Sequence, residues 1–141
     1  MTAREYLQQA YRLDQRINSD AEELERLKEM SASIASPFFG ERVQRTRNTD
    51  APFVRYIDKI IEQEERISRE LALYVDLKNE IRAAINEVED TDEQLVLRYR
   101  YIHNYTWEKI GDELHADART VRRWHNKALV HFRVPENPIK I

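Results

Sequence analysis

A chain of 141 residues with 35% charged side chains, two glycines and four prolines suits long helices better than a sheet-rich or loop-rich fold. It holds no cysteine, which excludes disulfides and thiolate metal sites and suits the cytosol, the expected location. With 23 Lys and Arg against 26 Asp and Glu it is mildly acidic, and its longest apolar run, Leu71 to Val75, is too short to span a bilayer, so no membrane contact is expected.

The N-terminal stretch MTAREYLQQAYRLDQR alternates charge and lacks the apolar segment of a secretion signal. Apolar residues then recur in steps of three and four: Ala3, Tyr6, Ala10, Leu13, Ile17, Leu24, Leu27 and Ile34, with Asp20 as an interruption. That spacing predicts a helix over 3–34 with a heptad seam. Residues 35–52 carry Pro37, Gly40, Asn48 and Pro52, and read as a mobile connection. Arg42, Arg45 and Arg47 make it basic, and they are candidates for auxiliary contacts to a polyanionic partner.

A second long helix is expected over 53–89. Its seam is Phe53, Ile57, Ile60, Ile67, Leu71, Tyr74, Ile81, Ile85 and Val88, with Glu64 and Lys78 as polar breaks read as edge residues. Two such helices joined by a connection form an antiparallel hairpin. A lone pair buries little apolar surface, so a second chain is the expected complement, a homo-oligomer with a dimer favoured.

Charge changes sign near residue 90. Residues 1–90 hold 14 basic and 19 acidic side chains; residues 91–134 hold 8 and 6, together with all four histidines. That marks a boundary between a hairpin region, 1–90, and a second domain, 91–134, followed by a tail, 135–141. In the second domain "TDEQ" reads as a capping box on Thr91, opening a helix to about His103 with Val96, Leu97, Tyr99 and Ile102 facing inward. Thr106 caps the next helix, whose inner face is Trp107, Ile110 and Leu114. Asp117 caps the last, whose inner face is Val121, Trp124, Ala128, Leu129 and Phe132.

Gly111 sits inside a short helix, where glycine costs about 1 kcal/mol relative to alanine. His115 follows at a turn and Val121 is buried beyond it; small residue, turn and buried β-branched residue at this spacing form a helix-turn-helix pattern. The outward face of the last helix carries Arg119, Arg122 and Arg123. Between Ala118 and Arg133 there are five cations and no acid. Such a face matches duplex DNA: the three arginines as base readers, and Thr120, Asn126, Lys127 and Arg133 toward the backbone. His103, His115, His125 and His131 have no metal-ligand spacing and read as surface or turn residues. No phosphate loop, nucleophile elbow or HExxH motif occurs, so no enzyme activity, no cofactor, no metal and no small-molecule substrate are expected.

The stretch DEQLVLRYRYIHNYTWEKIGDELHADARTVRRWHNKALVHF resembles region 4 of sigma-70-type transcription factors. The shared pattern is an acidic start, VLxxRY, a capped W-E-x-I-x-x-x-L helix, then TVRR and AL. The chain as a whole, including MTAREYLQQAYRLDQRI and VDLKNEI, resembles sigma-like late-gene regulators of phages and prophages of Gram-positive bacteria. The resemblance implies an all-α, DNA-binding regulator, with Arg119, Arg122 and Arg123 at the base-reading positions and RNA polymerase as a further partner. Ala118 departs from the pattern where many relatives carry a polar reader, and His115 departs where glycine is usual. No segment resembles the part that melts DNA. Two other readings fit the same layout: a DNA-packaging protein like a small terminase subunit, and a coiled-coil interaction scaffold.

Overall fold

In the computed structural model, residues 1–41 and 46–141 are described, with side chains between 34 and 52 outside that description. The elements are α1 (Ala3–Glu41), α2 (Thr46–Ile85), α3 (Thr91–Leu97) continuing as a π-helical stretch (Arg98–Ile102), α4 (Trp107–Leu114) and α5 (Ala118–His131). The fold is all-α, as the periodicity predicts; among the described residues there is no strand. Both long helices reach beyond their expected ends into 35–52, so Pro37, Gly40 and Pro52 lie within helical spans. Each residue added to an existing helix gains a hydrogen bond without a new nucleation cost, and this cooperativity carries long helices through local breakers. The expected mobile connection is therefore replaced by helix at both ends; its Arg42 and Arg45, and the side chain of Arg47, lie outside the described residues.

The chain divides into two compact units, Met1–Asp14 with Leu73–Ile141, and Gln15–Ala72. The first unit has a continuous apolar core. Tyr6, Leu7 and Ala10 of α1 pack with Leu77, Ile81 and Ile85 of α2, and with Leu97, Tyr101, Ala128 and Phe132. The expected partition at residue 90 thus falls inside this unit, because the first turns of α1 are needed to cover α3 and α5. Thr2 and Glu5 form a capping box on α1: the Glu5 N–H donates to the Thr2 hydroxyl (3.1 Å), and the Thr2 N–H donates to the Glu5 carboxylate (3.3 Å).

At the start of α3 the cap is Asp90, not Thr91. The Asp90 carboxylate accepts from the Glu93 N–H at 3.0 Å, and Thr91 is the first helical residue. Asp caps as well as Thr does, and one residue earlier it leaves Gln94 free to donate to the Ile85, Asn86 and Val88 carbonyls, which the end of α2 exposes. The residues after α5 are also tied down. The Ile139 N–H donates to Glu80 (3.0 Å), its carbonyl accepts from Gln9 (2.9 Å), and Tyr6 donates to the same Glu80 carboxylate at 2.7 Å.

Lys78 is not an edge residue. It is buried, and its ammonium donates to the Tyr101 carbonyl at 3.1 Å and to the Ile102 carbonyl. These carbonyls lie at the C-terminal end of the π-helical stretch, where a cation complements the unsatisfied oxygens and the helix dipole. Burial holds the Lys78 pKa below its ordinary value, partly opposed by Asp14.

The second unit is a pair of antiparallel helical segments: Asp20 and Glu23 lie at Gln63, and Arg16 and Asp20 lie at Glu70. On α1 the seam runs as expected through Ile17 and Asp20, with Leu24 and Leu27 half-buried. On α2 Phe53, Ile60, Ile67 and Tyr74 of the expected seam are half-buried, but Ile57 and Leu71 are exposed; Gln63 and Glu70 are buried and Tyr56 is half-buried, while Glu64 is exposed. Gln63 explains the choice: its amide donates to the Asp20 carbonyl at 3.1 Å, a contact Glu64 cannot make.

Candidate nucleic-acid interface

Two short helices and the turn between them position the basic face. Thr106 opens α4 by accepting from the Lys109 N–H at 3.2 Å, and Glu108 lies in its positive first turn. His115 ends α4 in the left-handed conformation (φ 56°, ψ 46°), and its N–H closes onto the Gly111 carbonyl. A side chain other than glycine in that conformation is uncommon, though histidine is among those enriched there. The Ala116 N–H donates to the same Gly111 oxygen at 2.9 Å, and a Cβ on Gly111 would collide with the Ala116 carbonyl oxygen. Gly111 is therefore required by close approach of backbone to backbone, as the sequence pattern predicts. Asp117 then caps α5, accepting from the Thr120 N–H at 2.7 Å. That bond, with Arg119 and Arg123 nearby, holds the Asp117 carboxyl below the usual carboxylate range.

Val96, Ile110 and Val121 form the buried centre of this module, with Tyr99, Trp107, Leu114 and Trp124 around it. Anchored there, α5 turns Arg119, Arg122, Arg123, Asn126 and Lys127 outward, all exposed, with Thr120 half-buried. Arg119, Arg122, Arg123 and Asn126 stand at i, i+3, i+4 and i+7, one face of a helix. Arg133 is exposed beyond the helix end. Among the described residues no carboxylate forms an ion pair with any of these cations. Arg119, Arg122, Arg123 and Asn126 thus point outward as expected from the sequence.

His125 departs from its expected surface place. It is 3% exposed and hydrogen-bonded through Nε2 to the Tyr101 hydroxyl at 2.7 Å. The Trp107 ring meets it edge-on at 4.8 Å. Burial, with Arg4 and Arg100 nearby, lowers its pKa to about 4. His125 lies about two turns into α5, on its buried side with Val121 and Ala128, so it fixes the rotation of α5 while staying neutral. His131 is exposed, but its Nδ1 lies 2.8 Å from Glu93, a carboxylate that is itself buried.

A second cationic feature escaped the sequence reading. Arg100 lies 4.1 Å over the Trp107 ring, and Lys109 lies 4.3 Å over the Tyr105 ring. Tyr99 and Tyr105 stack at 5.5 Å with an interplanar angle of 6°. The signal was present as the alternation of Arg and Tyr in RYRY, but helical periodicity hides it, because the π-helical stretch turns these residues differently. The Arg98 carbonyl accepts from the His103 N–H (3.1 Å) and the Tyr99 carbonyl from the Tyr105 N–H (2.9 Å), five and six residues on.

What results is an all-α chain that presents a basic helix face on a capped, tightly crossed pair of short helices. Residues 38–132 match the model of a family described as a protein of unknown function, DUF1492, and the chain belongs to that family. No curated protein and no solved structure matches it. Among the described residues no helix is long and apolar enough to cross a membrane, and no group of three potential metal ligands occurs.

Proposed function

We propose that this protein is a sequence-specific DNA-binding regulator of phage or prophage genes, acting through a helix-turn-helix module similar to region 4 of sigma-70-type factors. One observation carries the reading: Arg119, Arg122 and Arg123 are exposed, free of ion pairs among the described residues, and aligned on the N-terminal half of a capped helix. That part of a recognition helix enters the major groove, where an arginine pairs with guanine O6 and N7. Thr120, Asn126, Lys127 and Arg133 supply the phosphate contacts. The mechanism is binding without covalent chemistry. It includes a cytoplasmic homodimer, and contact with RNA polymerase is the part that rests on the resemblance alone.

Fluorescence anisotropy with labelled duplexes at a series of salt concentrations tests it. Binding should weaken steeply with salt, since each neutralised phosphate releases counterions. Arg122→Ala with Arg123→Ala should weaken the preferred duplex by roughly 30- to 1000-fold with helical content unchanged. No binding at low salt, or binding indifferent to salt, overturns the reading.

A further inference from the structure

The seam of the Gln15–Ala72 unit buries two acids against each other. Asp20 of α1 and Glu70 of α2 are each 9% exposed. They face one another across the helix pair, close enough for a side-chain hydrogen bond. As carboxylates both are acceptors only, so two of them in contact make no bond unless one carries a proton. Both Glu70 oxygens and Oδ2 of Asp20 have no partner among the described residues. Gln63 does not supply one: its amide donates to the Asp20 carbonyl at 3.1 Å and toward Glu23 at 3.5 Å.

The surrounding charges define what the pair can hold. Arg16 on α1 and Arg66 on α2 lie near Glu70 and favour its ionised form, yet both are exposed. Among the described residues neither forms an ion pair with it. Glu23, reached through Gln63, adds a negative charge on the α1 side. Two carboxylates are few ligands for a metal ion, and no group of three potential ligands occurs among the described residues. A proton is the cation that fits, as in carboxylate pairs that ionise one at a time.

The seam is otherwise weak. Its buried members among the described residues are Ile17, Asp20, Ser31, Gln63 and Glu70, of which only Ile17 is a large apolar residue. Helical segments draw most of their stability from packing an apolar face, so one bond across this pair has unusual leverage.

We propose that Asp20 and Glu70 hold one proton between them, and that this proton clasps the α1 and α2 segments of the Gln15–Ala72 unit, which loosen when it leaves. With the proton bound, the Glu70 hydroxyl donates to the Asp20 carboxylate and the pair carries one negative charge. With the proton lost to solvent, two buried like charges face each other. Burial and the Asp20 carboxylate both favour protonated Glu70. An acid of this kind stabilises at low pH, and its contribution is lost as pH rises through its folded pKa. The clasp needs neither DNA nor a second chain, so it stands apart from the reading above.

Hydrogen exchange read by mass spectrometry on the full chain tests it, with rates corrected for the intrinsic effect of pH. Peptides from the Gln15–Ala72 unit should be about fivefold less protected at pH 7 than at pH 4. Glu70→Gln should hold the higher protection at both pH values, because its amide donates to Asp20 whatever the pH. Asp20→Asn should do the same from the other side, by donating to Glu70. This second variant separates a shared proton from simple burial of Glu70, which would leave the pH dependence of Asp20→Asn intact. Equal protection at the two pH values in the unaltered chain, or a pH dependence that survives either substitution, overturns the proposal.

Discussion

The two compact units are built from the same pair of long helices, yet they spend their apolar residues differently. In the first, Tyr6, Leu7, Leu77, Ile81, Ile85 and Leu97 are fully shielded. In the second, Asp20, Gln63 and Glu70 are buried in the corresponding seam beside Ile17, while Val54, Ile57, Ile61 and Leu71 are exposed. The contrast shows that heptad spacing alone does not decide which face of a helix turns inward. A short polar contact, such as Gln63 on the Asp20 carbonyl, can select the less apolar face when another surface is available for the rest.

The comparison can be sharpened by titration. In the first unit, neutral His125 has a pKa of about 4 against an ordinary value of 6.5. A histidine with a lowered folded pKa contributes stability that is complete above the unfolded value and is lost as pH falls. Urea unfolding between pH 7 and pH 4 should therefore reveal a loss of up to about 3 kcal/mol, confined to that window and absent from His125→Leu. A chain whose stability does not change there would break the assignment of His125 as a buried neutral strut.

Next in size is Gly111→Ala. On helix propensity alone it would stabilise by about 1 kcal/mol; because the new Cβ meets the Ala116 carbonyl oxygen, it should instead destabilise by about 2 kcal/mol. The midpoint of chemical denaturation distinguishes the two signs. On the proposed reading, DNA affinity should fall with it, because the packing of α4 on α5 aims the arginines.

The smallest effect tests the second unit. Burial, and then the neighbouring Asp20 carboxylate, raise the Glu70 pKa, with Arg16 and Arg66 opposing. Neither Glu70 oxygen has a hydrogen-bond partner among the described residues. An acid with a raised folded pKa contributes stability below its unfolded pKa and loses it as pH rises through the folded one. Glu70→Gln should therefore raise stability by about 1 kcal/mol at pH 7 and leave it unchanged at pH 4, as read from melting temperature. A loss at pH 7 would mean that the seam needs the charge.

The module around α4 and α5 was legible because its determinants are local. Thr106 and Asp117 cap the helices they precede, Gly111 and His115 sit where the turn needs them, and the arginines fall at helical spacing. The outer parts were less so. Ile57 and Leu71 fit a heptad as well as Tyr56 and Glu70 do, and only the position of Asp20 on the other helix separates the two solutions. Asp90 and Thr91 are both competent caps, and the need for Gln94 at the end of α2 decides between them. His125 looked like a surface residue because the Tyr101 hydroxyl that receives it comes from 24 positions away.

The bonds of Gln9 and Tyr6 to Glu80 and Ile139 have a consequence for synthesis. Ribosomes deliver the opening turns of α1 first, but those turns find their cover only after the last residues emerge. Until then Tyr6 and Leu7 stay wet on a nascent chain whose Gln15–Ala72 hairpin can already zip. The basic face of α5 would be completed after them, so a translation product interrupted before it would carry the Gln15–Ala72 segments without the basic helix.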